Sequence, residues 1–571
     1  MSRYATELSG NVVVDGDRGF RGVDMRREPE LLEPGMLAEA INVRCVRGMA
    51  ETRRGMTPVS WVRSYATEFP LVFDLVFDVP VASTLGTVYG VASFTDPTSV
   101  DYLLIATETA VYFCADHAVP VRTLYPDGVT VTGPVDLVQA FDRVVMFRGE
   151  DAVPLEFVAS QIEEGLTEWR FINQEPGSGT ESIPNASTAT LFNNRLFVPF
   201  NRDEIAVSDV LNYTRYDPVL NQFRINSGDN ASLQRIFPWN TTSLVAFKTR
   251  GIYIAQNVYG DFSETRLDEV TRELGLVARR AVATVGPDIW FLDQSGVRSL
   301  QSAVDNRLQA TTEPVSAPIQ PLIERITWDA VGEAAATVWD NKFYLAVPLD
   351  GSVTNNAILV YDLINQSWAG YDTGPYMDAA HLVTIRHRGQ WRLSVTSSEG
   401  DVYLYEDGFA DERGAEESDI ELTLATRGYD AGDLSPKRAV AGTLEVSTWN
   451  PELDLSAKVE GVNETETVRT AWTRSREEYV IHGRSAYELD NTNDDHGNPG
   501  REDYSVDLDD VPDFNLGSGV DFELHQRARI PFTLRRRGRR VQLRLINSKG
   551  RVRLHASEII GQQDGKQRDD V

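Results

Sequence analysis

The chain has 571 residues, and 85 acidic against 55 basic side chains leave a net charge of −30. A hydrophobic content of 42% is too rich for a disordered chain, and no run approaches the ~18 apolar residues of a membrane helix. The surplus of acid argues against a duplex-binding protein, and Cys45 and Cys114 allow at most one bridge, so this is no disulfide scaffold. The N-terminus lacks the apolar stretch of a signal peptide, and the two cysteines read as small core residues of a protein made in a reducing cytoplasm. Among the basic residues six are lysine and 49 arginine, a bias that suits interface ion pairs as well as a GC-rich genome.

Residues 1–60 read as an extended arm. Gly19-Phe20-Arg21-Gly22-Val23-Asp24 is followed by Pro29, Leu31-Leu32 and Pro34-Gly35, with too few apolar residues to fold alone. The arm is expected to pack on a neighbouring domain, and its deletion to abolish assembly before folding.

From residue 61 to 410 one unit repeats: an alternating apolar run, a short polar turn, and another alternating run. Tyr102–Phe113, Leu137–Phe147, Ala189–Phe200, Leu244–Ile254, Ile289–Leu300, Ala334–Val347, Ile358–Trp368 and Leu393–Tyr405 all follow it. Val, Ile, Phe and Tyr at period two with turn residues between them mark antiparallel hairpins. Helical periodicity is confined to Asp268–Glu273 and Val315–Ile326. A blade of four strands takes about 40–50 residues, so this stretch predicts a β-propeller of six or seven blades. Trp339-Asp340 stands without the Gly-His partner of a WD40 blade, and no sialidase-type Asp box is present.

An acidic segment, Asp411–Asp419, reads as a solvated linker. Beyond it Ile420–Ala425, Gly442–Thr448, Leu453–Val459, Ala528–Leu534, Val541–Ile546 and Val552–Ile560 read as strands, and Glu488–Asp513 as a loop. Residues 411–571 therefore predict a C-terminal β-sandwich or jelly roll, and the chain as a whole is all-β.

Phe20-Arg21-Gly22-Val23-Asp24, Gly35-Met36-Leu37-Ala38-Glu39-Ala40, Asn42 and Arg53-Arg54-Gly55 run in the order found at the start of propeller-containing bacteriophage tail proteins. Asn193-Asn194-Arg195-Leu196-Phe197, then Leu244–Lys248 with Gly251-Ile252-Tyr253, then Val360-Tyr361-Asp362 with Ser367-Trp368, continue the series. Arg537-Gly538-Arg539-Arg540-Val541-Gln542-Leu543, followed by Gly550, matches its closing strands. Over most of its length the chain resembles the tail nozzle, or tail hub, of short-tailed phages. That resemblance implies a virion protein of six copies that continues the portal–adaptor channel, guides and gates genome exit, and docks fibres or spikes. It implies no catalytic residue, cofactor or metal, and DNA passing through the lumen without sequence recognition. Six copies of a chain at −30 carry −180, which would keep a lumen from holding phosphate, although acidity also serves simple solubility.

The one strongly basic island is Arg535, Arg536, Arg537, Arg539 and Arg540, with Arg544, Arg551 and Arg553 nearby. It is a candidate contact for a neighbouring subunit or adaptor; the plain alternative is a solvated hairpin turn. Acidic loops such as Asp507–Asp513 would suit it as partners. Asp490–Asn498 is dense in oxygen ligands but does not meet EF-hand spacing, and reads as a surface loop. No His-x-x-x-His, Cys-x-x-Cys, Gly-x-Ser-x-Gly or phosphate-binding loop is present. Trp239, Trp290, Trp339 and Trp391 are expected in blade cores. A carbohydrate-binding or polysaccharide-cleaving propeller, with carboxylates converging on the axis beside aromatics, is one alternative function, and a hub or baseplate component of a long-tailed phage, which sequence does not separate from the nozzle, is another.

Overall fold

The computed structural model describes residues 12–59, 86–116, 120–158, 168–172, 181–303, 307–431, 437–459, 466–473, 480–482, 503–505 and 526–563, less positions 227, 229, 261, 312 and 415. Residue contacts divide the chain into two compact units. One holds residues 55–364 and 373–417, the other residues 1–54, 365–372 and 418–571. No helix among the described residues is long and apolar enough to cross a membrane.

The first unit is a β-propeller. Four-stranded antiparallel sheets cover Val88–Leu124, Asp136–Phe171, Thr190–Arg224, Leu233–Thr271 and Arg307–Ala310 with the three strands before it from Val282. A sixth sheet opens at His381–His387, and the three strands Ala335–Trp339, Lys342–Val347 and Ala357–Asp362 fill the place between it and the sheet that opens at Val282–Val285. Counted this way the ring has seven blades, six of them separate sheets.

Consecutive blades are stitched at their first strands. Val135 N–H donates to Tyr89 O at 2.9 Å, Thr190 Oγ1 to Ile236 O at 2.7 Å and Ala336 N–H to Arg280 O at 2.8 Å. Middle strands such as Ser243–Lys248 are buried on both faces because each blade lies between two others. The layers are aromatic: Phe113 and Phe157 approach to 4.9 Å between ring centres, and Phe247 and Phe291 to 5.3 Å. Each such buried side chain is worth about 1.5–3 kcal/mol against exposure. Tight turns follow the sequence: Asn193-Asn194 and Asp340-Asn341 all take positive φ, as two-residue hairpin loops require.

The ring closes with a segment from far upstream. Met56–Pro58 is the strand beside Val402–Tyr405 in the last blade, with Tyr405 opposite Met56 and Tyr403 opposite Pro58. Asp411–Arg413 then adds in parallel next to Met56, so the segment read as a linker contains a strand. Asp268–Glu273 also departs from expectation: Arg266–Thr271 is the outer strand of its blade, paired with Ile252–Gln256. As an exposed, charge-rich edge it carries too few buried positions to show period two. Val315–Ile326 holds short helix as expected: a 3-10 helix at Ala317–Ile319 runs into an α-helix at Gln320–Ile323.

In the second unit the predicted sandwich is replaced by one strongly curled sheet. Gly442–Thr448 and Leu453–Val459 fuse into a single strand, Lys437–Val459, and the last two predicted strands into Val541–Gln563. The residues that suggest turns are absorbed as bulges. Pro451 falls in a register shift between Trp449 and Glu452, where no ladder N–H is needed, and Gly550 takes φ +62°. Bulges bend strands of this length, so one sheet curls into a half-barrel where two facing sheets were expected.

Residues 12–52 are integral to that sheet. Val12–Asp17 pairs along Ser557–Gln562, Met36–Ile41 pairs with Leu422–Thr426, and Val43–Val46 forms a hairpin with Met49–Thr52. Phe20, Val23, Leu37, Ala40 and Val43 are buried. Arg44 makes a two-pronged pair with Asp372, at 2.9 Å and 2.5 Å, and Arg53, wholly buried, donates from Nε to Asn42 Oδ1 at 2.9 Å. From residue 12 the arm is therefore built into the sheet, which makes its deletion a test of folding as well as of assembly.

Candidate functional site

The first strand of every blade begins at the same end of the ring axis, and the cavity there is lined from those seven starts. Residues Tyr89, Asp136, Thr188, Arg235, Arg280 and Glu333 bring in blades one to six, and His381 the seventh. The cavity has a larger lobe of about 450 Å³ and a smaller one of about 240 Å³, which share Gly133, Pro134 and Glu333. Its lining mixes polar groups with apolar surface, and the smaller lobe is the more apolar of the two.

The larger lobe is cationic. Arg148, Arg235, Arg279 and Arg280 face two carboxylates, Asp136 and Glu333. Arg280 pairs with Glu333, and Arg148 donates to Val153 O at 2.6 Å. Arg235 Nη1 donates to Arg279 O at 2.8 Å, while its Nε is buried without an acceptor. Thr188 Oγ1 donates to Asp136. The Arg279 guanidinium makes no hydrogen bond or ion pair with the described residues. Loss of water pulls its pKa down, and Asp136, Glu150 and Glu333 oppose that while Arg280 reinforces it.

The smaller lobe is rich in acceptors. Asp378 Oδ2 accepts from the Ser398 N–H at 2.9 Å and from its hydroxyl at 2.5 Å, and Oδ1 is buried with no donor. Asn355 Nδ2 donates to Glu333 O and Ala379 O, both at 2.9 Å, and leaves its Oδ1 unmatched. His381 is buried, and desolvation, with Arg280 adding to it, holds its pKa well below the usual 6.5, so the ring is neutral. A lobe lined by arginines thus adjoins one with unmatched acceptors, through the shared Gly133, Pro134 and Glu333. Among the described residues no group of three or more His, Cys, Asp or Glu is placed to share a metal ion.

The residues singled out by sequence lie elsewhere. Arg535, Arg536 and Arg537 end the strand Gln526–Gly538, with Arg537 opposite Arg438 and Arg536 opposite Ala439. Arg539 is exposed, and Arg540 is bound within its own unit by Glu30 at 2.9 Å. Arg544 and Arg553 continue that pattern with Glu39 at 3.1 Å and Glu51 at 2.5 Å. The acids that meet Arg540, Arg544 and Arg553 therefore come from the N-terminal segment; Asp507–Asp513 and Asp490–Asn498 lie outside the described residues. Trp290 packs against Phe343 and Tyr361 as a core residue, Trp239 and Trp339 are half-buried, and Trp391 is exposed. Sequence reading missed Arg235, Arg279 and Arg280. The available signal was positional: Arg279-Arg280 and Arg235 fall at or just before the opening strand of a blade.

No family model and no curated protein matches this sequence. Solved structures that are similar include the extracellular domain of a one-component system from B. thetaiotaomicron, at 7% identity and TM-score 0.39 over 78% of this chain and 58% of that one. Another is the extracellular domain of a hybrid two-component system from the same organism, at 10% identity and TM-score 0.37 over 57% of this chain and 41% of that one. A third is virginiamycin B lyase from Staphylococcus aureus, at 8% identity and TM-score 0.35 over 56% of this chain and 95% of that one.

Proposed function

We propose that the chain is a structural virion protein that forms the tail nozzle, or hub, of a short-tailed phage as a closed homohexameric ring. In that role it continues the portal–adaptor channel, guides genome exit and offers docking surfaces for fibres or spikes; its work is geometric, not catalytic. The observation that carries this reading is where the resemblance falls in the fold. A Cβ at Gly22 would stand 2.1 Å from Ser367 Oγ, and one at Gly55 1.8 Å from Ala410 O. Gly35 takes φ +83°, Asn42 φ 57°, and Arg53 is wholly buried against Asn42. These are framework positions with almost no freedom to vary, so a chain that shares them in order shares a framework.

A surface suited to self-contact supports the same reading. Val210, Leu211, Val219 and Leu220 are 54–85% exposed, and Asn221 Nδ2 donates to Asp209 Oδ1 at 3.0 Å, which holds their two loops together. Four clustered aliphatics in water are costly to a monomer and useful to a ring. Native mass spectrometry of the purified chain, alone and with the phage portal–adaptor complex, tests the proposal. A six-copy species, or six copies recruited to the adaptor, is expected; a monomer that ignores the adaptor overturns it.

A further inference from the structure

Buried polar atoms without partners are expensive, at about 1–3 kcal/mol each, and a folded chain keeps few of them. Three gather around the axial cavity of the propeller: Arg235 Nε in the larger lobe, and Asp378 Oδ1 and Asn355 Oδ1 in the smaller. Beside them stands Arg279, accessible and with no ion pair among the described residues, in a lobe where four arginines outnumber two carboxylates. A positive recess in a chain of net charge −30 runs against the bulk composition.

We propose that the axial cavity binds a small polyhydroxylated anion, a sugar bearing a carboxylate or a phosphate, with its oxyanion against Arg279 and Arg235 and its hydroxyls donating to Asp378 and Asn355. Each simpler ligand leaves part of the cavity unmatched. A bare inorganic anion satisfies the guanidinium groups and leaves both acceptor oxygens orphaned. A neutral sugar reverses that, with hydroxyl donors for the acceptor oxygens and no charge for Arg279. A free amino acid carries both charges, yet it is small for a lobe of about 450 Å³, a volume within the range of roughly 300–1,000 Å³ typical of sites that enclose larger ligands. Arginine suits the anionic end because its planar fork takes two oxygens at once. The inference does not depend on ring assembly, since every residue it uses lies in one blade ring.

Isothermal titration calorimetry on the full chain tests it, with D-glucuronate and glucose 6-phosphate as the two candidate sources of the oxyanion. Glucose, inorganic phosphate and L-glutamate serve as comparisons. One site per chain is expected for at least one of the two sugar anions, and the stronger of them identifies carboxylate or phosphate. Arg279→Gln and Asp378→Asn are each expected to weaken that binding at least 10-fold, and Arg279→Lys to recover part of it by restoring the charge. Arg279 makes no side-chain hydrogen bond among the described residues and Asn retains the Ser398 contact, so both variants are expected to melt with the parent chain; the melting curve checks this. Silence with both sugar anions overturns the proposal. So does inorganic phosphate or glutamate binding as tightly as they do, or an Arg279→Gln chain that folds and binds unchanged.

Discussion

Asp372→Asn is the sharpest test of what holds the sheet unit together. The Arg44 and Asp372 side chains are 5% and 1% exposed, and they meet through two N–H···O contacts. Removing the carboxylate charge takes an ionic partner from the buried Arg44 guanidinium and from the buried Arg53, 4.0 Å away, and losses of this kind run to about 3–5 kcal/mol. The amide keeps one acceptor oxygen, so the lower end, about 3 kcal/mol, is expected. Hydrogen exchange of the Met36–Ile41 and Leu422–Thr426 amides reads it directly, because those paired strands open with the unit. At 1.36 kcal/mol per factor of ten, the substitution is expected to speed their exchange roughly 100-fold. Asp350→Asn is the control: its partner Arg325 is 40% exposed and Asp350 57%, so about 1 kcal/mol or less is at stake. Exchange in Asp372→Asn that rises less than about 10-fold would refute the claim that this buried pair secures the unit.

Gly55→Ala is expected to open the seam of the propeller, because its Cβ would overlap Ala410 O, and protease cleavage beside Met56–Pro58 should appear at concentrations the parent chain resists. His381 stays neutral in the fold while the unfolded chain takes up a proton below about pH 6.5, so stability is full above that pH and falls below it, by up to ~1.4 kcal/mol per pH unit. Denaturant midpoints at pH 7.5 and 5.5 are expected to separate less in His381→Gln than in the parent. Val219→Asp with Leu220→Asp should shift the native mass toward monomer with the melting temperature unchanged. Deletion of residues 1–60 removes six strands from the two units and is expected to give insoluble protein, read by fractionation after expression.

What was legible in the sequence was local. Leu137–Phe147 alternates apolar residues around Phe141 and Asp142, and the hairpin forms between Asp136–Ala140 and Arg143–Phe147 with no outside help. Pairing between distant segments left no comparable trace. Met56–Pro58 is three residues long and meets Tyr403–Tyr405 more than 340 positions later, and Val12–Asp17 meets Ser557–Gln562 more than 500 positions later. A short run shows no period, so both were folded into an arm. Long strands failed in the opposite direction: Pro451 and Gly550 carry turn chemistry that the structure uses for bulges, so two strands read as four.

Charge is legible in sequence only as runs, for a related reason. The arginines from Arg535 to Arg553 stand out because they are consecutive in sequence, and Arg540, Arg544 and Arg553 find their acids, Glu30, Glu39 and Glu51, about 500 residues upstream within one sheet. Arg540, Arg544 and Arg553 are thus paired within their own unit, while Arg539 stays exposed. The axial arginines are the reverse case. Arg148, Arg235 and the adjacent Arg279 and Arg280 come from three blades, 87 and 44 positions apart, and none is part of a motif. Only closure of the ring brings them to one point, where the net charge of −30 ceases to describe what a small solute would meet. A bulk charge measures the average surface, and in a propeller the strand starts around the axis can differ from it in sign.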